Sequence, residues 1–121
     1  MAGFSERRHT IRIAVNGNMN VESVPTGQAL LLIDVGIGGF CVETAAAVPP
    51  DSVTNYRFIT PDKRWSAMFR ARTVYSKPVP SDDPVVRKFV SGFSFVNAES
   101  PAVQRELMAL MDHATAFMSF S

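Results

Sequence analysis

Three arginines and one aspartate stand out by type and spacing. The stretch "ERRHTIR", residues 6–12, places Arg7, Arg8 and Arg12 close together near the start of the chain. Guanidinium is planar, permanently charged and forked. It grips phosphate with paired hydrogen bonds, stacks on flat rings and reads the O6 and N7 edge of guanine. Arg8 and Arg12 are four residues apart, so on an extended strand their side chains point the same way. Arg7 precedes the strand and swings independently. The cluster suits an anionic ligand with flat bases and is too small for a long nucleic-acid groove. On residue type alone, arginines beside a terminus are as a rule merely solvated.

The aspartate opens a second stretch, "IDVGIGGF", residues 33–40. Asp34 is followed by Gly36, Gly38 and Gly39, more glycine than a tight hairpin needs. Asp34 suits either a turn cap or a hydrogen-bond acceptor for a ligand. The glycines suit either a bulged hairpin or a close backbone approach. A phosphate loop is excluded, because there is no GxGxxG, no Lys-Ser/Thr pair and no helix directly after.

The elements that hold these residues follow from hydrophobic periodicity. "TIRIAVNGNMNVESV" alternates, with Ile11, Ile13 and Val15 on one face and an Asn-Gly turn signal at 16–17. "QALLLID" and "GFCVETA" are strands, the latter with Phe40 and Val42 on one face. "VTNYRFIT" and "WSAMFRARTVYS" follow, joined by a "PDKR" turn. Trp65, Ala67, Phe69, Ala71 and Thr73 share a face. "KPVPSDDP" reads as a mobile polar loop, and "RKFVSGFSFVN" as the last strand. From Ser100 the period changes to that of a helix, with Ser at the N-cap and Pro101 at the first helical position. Val103, Leu107, Leu110, Met111, Ala114 and Met118 form its apolar stripe. The expectation is six or so antiparallel strands in a small barrel or sandwich, plus one C-terminal helix that plugs an end, covers a face or meets a partner.

Composition bounds the function. The 121 residues read as a single domain, with residues 1–9 a flexible lead-in, 10–97 the strands of the barrel or sandwich and 100–118 the helix. Apolar residues make up 46% of the chain, enough for a core. A net charge of +1 argues against bulk binding to nucleic-acid polymers or anionic membranes. Cys41 is the one cysteine, so no disulfide forms within the chain. It reads as a small core residue between Phe40 and Val42. No segment is apolar and long enough for a membrane span, and the start lacks a secretory signal. These features point to a cytoplasmic protein. His9 and His113 have no ligand-spaced partners for a metal. Asp82 and Asp83 read as solvated, and Met108, Met111 and Met118 as core filling. No spacing suggests a catalytic triad, and no enzyme, metal or cofactor is expected.

Taken together, "RRHTIR" and "DVGIGG" resemble the two motifs of the PilZ domain family, RxxxR with an extra arginine in front and (D/N)xSxxG. The gap between them, the strand count, the "SGFSF" final strand and the trailing helix are also similar to that family. The resemblance implies a six-stranded antiparallel β-barrel, mainly β, with a C-terminal α-helix. It implies binding of cyclic di-GMP, often as an intercalated pair. Arg8 and Arg12 would grip phosphates and guanine edges, and Arg7 would stack on or pair with a base. Asp34 would accept hydrogen bonds from the guanine N1–H and N2–H₂ edge. Gly39 would let the backbone turn close to the ligand. The departure is Gly36, which stands where the family has serine. Loss of one such hydrogen bond costs about 1–3 kcal/mol, or about ten- to a hundred-fold in affinity.

Two functions follow. One is a cyclic di-GMP receptor that orders its N-terminus on binding and so presents a surface to a downstream protein, as a monomer or homodimer. The other is a PilZ-like adaptor that has lost the ligand and works by protein contact.

Overall fold

The pattern of apolar side chains closes the sheet on itself. The computed structural model of the chain describes residues 12–15, 19–80, 82–83, 85 and 87–118. Strands β1 (Arg12–Ala14), β2 (Asn20–Ser23), β3 (Ala29–Gly36), β4 (Gly39–Thr44), β5 (Val53–Ile59), β6 (Ser66–Pro78) and β7 (Phe89–Phe95) precede helix α1 (Pro101–Met118). All pairings among them are antiparallel: β3–β2–β5–β6–β7–β4, with β4 returning to β3. That is a closed six-stranded barrel, which leaves no open sheet edges around the ring.

β1 is an extra strand. β4 occupies one edge of β3 from Leu31 to Val35. The other edge is shared: β2 pairs with Ala29 and Leu30, and β1 with Asp34, Val35 and Gly36. β1 therefore takes over the edge of β3 where β2 has left it to pair with β5. The Asn-Gly signal at 16–17 lies outside the described residues. The strands on either side of it both pair with β3, and no pairing joins them to each other among the described residues.

Phe40 sits at the centre of the core, fully buried. Its ring stacks on Phe93 at 4.8 Å and meets Phe58 edge-on at 5.0 Å and Tyr56 at 5.4 Å. Phe95 lies 5.3 Å away and carries the cluster on to Phe69. Edge-to-face and offset pairs add to the area term. The face read from alternation on β6 is the inner one, with Phe69, Ala71 and Thr73 buried.

α1 closes one end. Leu107, Leu110 and Ala114 are fully buried in the same cluster, and Val103 and Met111 pack against it. His113 stacks on Trp65 at 4.5 Å, beside the β5–β6 turn. Met108 is 59% exposed, so it is not core filling; one residue past Leu107, it falls off the buried stripe. In the β5–β6 turn, Asp62 accepts from the Arg64 backbone N–H at 3.0 Å and the Thr60 hydroxyl at 2.7 Å. Those bonds hold its carboxyl below the ordinary value, the backbone bond first.

β6 runs further than its sequence suggests. Lys77 and Pro78 belong to the strand, opposite Val90 and Phe89, rather than to a loop. Pro78 is tolerated because β5 pairs with β6 only as far as Arg72, so on that side it has no ladder hydrogen bond to lose.

Phe40→Ala should lower stability by about 3–5 kcal/mol, the range for emptying a buried aromatic site. A urea melt would measure it, and a loss under about 1 kcal/mol would contradict the central role of this ring.

Candidate ligand site on the outer face

Two irregularities in the barrel create the candidate site. On β3 the register with β4 shifts between Leu32 and Asp34. Strict alternation would put Leu32 and Asp34 on one face. The bulge breaks it, so Leu32 and Val35 are both buried in the core and Asp34 is turned out, half-buried. On β6 the register with β7 shifts between Thr73 and Tyr75. Thr73 stays fully buried, and Tyr75 comes to the outside, 37% exposed. Bulges re-aim side chains in this way.

The two re-aimed residues fall in one row. Asp34 is opposite Cys41, Cys41 is opposite Gly92, and Gly92 is opposite Tyr75. The row crosses β3, β4, β7 and β6 on the outer face. A side chain at Gly92 would run into the Tyr75 ring, so the glycine is what lets the ring lie down on the sheet. The Tyr75 hydroxyl then reaches 3.7 Å from the Cys41 Sγ. Lys77 Nζ stands 5.3 Å from the centre of the ring. Asp34, Cys41, Tyr75 and Gly92 line a shallow depression of about 210 Å³ together with Val74. The arrangement offers a carboxylate acceptor and an aromatic face side by side.

Cys41 corrects one sequence expectation. It is buried, but not in the core. Phe40 and Val42 point inward, so Cys41 points outward and is covered by Tyr75.

The other expected residues divide. Arg7 and Arg8 lie outside the described residues. Arg12 is on β1, its backbone opposite Gly36, and the next pairs are Ile13 with Val35 and Ala14 with Asp34. β1 thus extends the row by one strand at Ala14. Gly39 has a structural reason of its own: any side chain there would collide with the Phe93 backbone carbonyl on β7. Gly38 has open space, and its carbonyl accepts from the Phe95 N–H at 3.0 Å. Tyr75 and Gly92 were not legible as site residues. The signal was present in "TVYS" and "SGFS", but only the pairing shows that the two meet.

The architecture has known counterparts. The PilZ domain of YcgR from Escherichia coli, solved with c-di-GMP, superposes with a TM-score of 0.65 at 18% identity, covering 91% of this chain and 92% of that one. A longer YcgR structure from Escherichia coli, in complex with c-di-GMP, gives 0.64 at 17% identity, covering 87% of this chain and 44% of that one. The chain has a PilZ-like fold. An uncharacterized Legionella protein shares it at a TM-score of 0.59 and 9% identity, over 90% of this chain and 98% of the other. No protein-family model and no curated protein matches the chain. Among the described residues no group of His, Cys, Asp or Glu is placed to hold a metal, and no helix is long and apolar enough to cross a membrane.

Glycine substitutions separate the two roles. Gly39→Ala should destabilise by about 1–3 kcal/mol, because the new methyl meets backbone that has no room to yield. Gly92→Ala should cost less, because the Tyr75 ring can swing away, but it should remove Tyr75 from the row. Urea melts and the Tyr75 ring proton shifts report the two effects. An unmoved ring in Gly92→Ala would refute the packing described here.

Proposed function

We propose that this chain is a receptor for cyclic di-GMP, bound across the outer face of the barrel, and not an enzyme. The observation that carries the reading is the bulge in β3. It turns Asp34 out of the core, beside the strand that bears Arg12, in a fold whose Escherichia coli counterpart was solved with this dinucleotide. Asp34 accepts from the N1–H and N2–H₂ edge of one guanine. The Tyr75 ring supplies a stacking face for a base, a contact worth about 1–3 kcal/mol by truncation. Arg8 and Arg12 grip the phosphates and guanine edges, and Arg7 stacks on or pairs with a base. Gly36 and Gly39 keep the backbone near the ligand bare of side chains. The whole of residues 1–121 acts as one domain. Binding orders the N-terminus over the barrel and presents a surface to a downstream protein partner in the cytoplasm, with the receptor a monomer or homodimer.

Gly36 favours one other reading. It offers no hydroxyl where the motif has serine, and a PilZ-like adaptor without ligand would tolerate that loss. Affinity and variants distinguish the two. Calorimetric titration with cyclic di-GMP should give a micromolar or tighter complex, with GTP inert. Arg8→Ala and Arg12→Ala should abolish binding with the thermal midpoint unchanged. Asp34→Ala and Tyr75→Ala should each weaken it about ten-fold or more, the scale of one lost polar or stacking contact. Gly36→Ser should tighten it. No heat from the parent, with binding gained in Gly36→Ser, would establish the adaptor reading instead.

A further inference from the structure

β5 and β6 carry positive charge and no negative charge. Neither strand contains an aspartate or a glutamate. Phe58, Phe69 and Ala71 point into the core, so Arg57, Arg70 and Arg72 point out. The three fall together. Arg57 is opposite Met68 and Arg70 is opposite Asn55, which makes the two arginines diagonal neighbours. Arg70 and Arg72 are two residues apart on one strand, about 7 Å along it. Met68, 50% exposed, and Val74, 58% exposed, flank that pair on the same strand. Every second residue of β6 thus reads apolar, basic, basic, apolar on the outer face.

Among the described residues, one of the three guanidinium groups meets a carboxylate. Arg57 lies 3.5 Å from Glu22 on β2. Arg72 donates to the Asp51 backbone carbonyl at 3.5 Å, which leaves its charge uncompensated. The Arg70 side chain has no ion-pair or hydrogen-bond partner among the described residues. Glu106 on α1 lines a small groove with Arg70 and Met68, yet forms no ion pair with Arg70. A single exposed arginine is ordinary. The company these two keep is not. Arginine and methionine are enriched where proteins meet, whereas lysine, aspartate and glutamate are depleted. From Ser66 to Val74 no lysine and no acid interrupts the strand.

We infer that the outer face of β5 and β6 is a docking surface for an acidic segment of a partner protein, extended along β6. At every second residue that segment reads apolar, acidic, acidic, apolar. Its two carboxylates then stand about 7 Å apart, the spacing of Arg70 and Arg72. Each guanidinium takes one carboxylate through paired N–H bonds, a geometry that lysine lacks. The apolar residues at the two ends cover Met68 and Val74. An anionic bilayer fits this face less well. Its attraction accumulates with each basic residue, and two free arginines on a chain of net charge +1 supply little of it. The face shares β6 with the outer-face row, but none of the three arginines lines that depression. The inference stands whether or not cyclic di-GMP binds there.

The test is a titration of the isotope-labelled full chain, without nucleotide, with the end-blocked peptide Leu-Thr-Glu-Thr-Glu-Thr-Leu, followed by amide chemical shifts. Saturable shifts centred on Asn55, Met68, Arg70 and Arg72 are expected. The same peptide with glutamine for both glutamates should bind about five-fold more weakly or worse. Arg70→Gln combined with Arg72→Gln should lose the acidic peptide and keep the parent's urea midpoint, because both side chains are exposed. Absence of saturable shifts in the parent would overturn the inference. So would equal affinity for the glutamine peptide, or an undiminished affinity in the double variant. Pelleting of the parent with phosphatidylserine vesicles, lost in the double variant, would overturn it in favour of a membrane surface.

Discussion

The contact between Phe40 and Phe93 governs both sides of the barrel wall. The two residues face each other across the β4–β7 ladder and stack inside it. Their neighbours in sequence, Cys41 and Gly92, are therefore paired on the outside. Because side chains alternate strictly along a strand, a slip of one residue would send the rings into water and the row into the core. Gly39 holds the same ladder at its end, where the β7 carbonyl leaves no room for a side chain. Core and outer face are thus set by one register.

Alternation alone would not produce the candidate site. It would bury Asp34 with Leu32 and Tyr75 with Thr73. Burying a lone carboxylate would be costly without a counter-charge. The bulges in β3 and β6 remove that conflict, one on each side of the β4–β7 pair. A polar residue that breaks the apolar rhythm of a strand is in both cases accommodated by an extra residue rather than by a partner in the core. The barrel gives up two regular ladder steps and acquires an acidic group and an aromatic ring on one surface.

Much of this was legible in the chain. Phe40 and Val42, the alternate residues from Phe69 to Thr73, and the stripe of Leu107, Leu110 and Ala114 all face inward as their periodicity implies. The strand-rich barrel and closing helix follow from the same pattern. Cys41 was misread because its flanking residues are apolar, and composition does not reveal which face a small residue takes. The end of β6 was misread because Lys77 and Pro78 look like loop residues, although their pairing with β7 continues. Met108 looked like core because methionine is common there, but helical phase places it outside. Tyr75 and Gly92 are seventeen positions apart in the chain, and nothing local shows that one exists to receive the other. Asp34 was singled out by type, yet its outward aim depends on a bulge that only the ladder reveals.

The covered thiol has a practical corollary. Cys41 is the one cysteine of the chain, and its sulfur sits beneath the Tyr75 hydroxyl in the row. Lifting of the ring would expose the sulfur further to a thiol-directed reagent. Alkylation kinetics are therefore a built-in clock for the opening of this surface, readable on the wild-type chain with no engineered label.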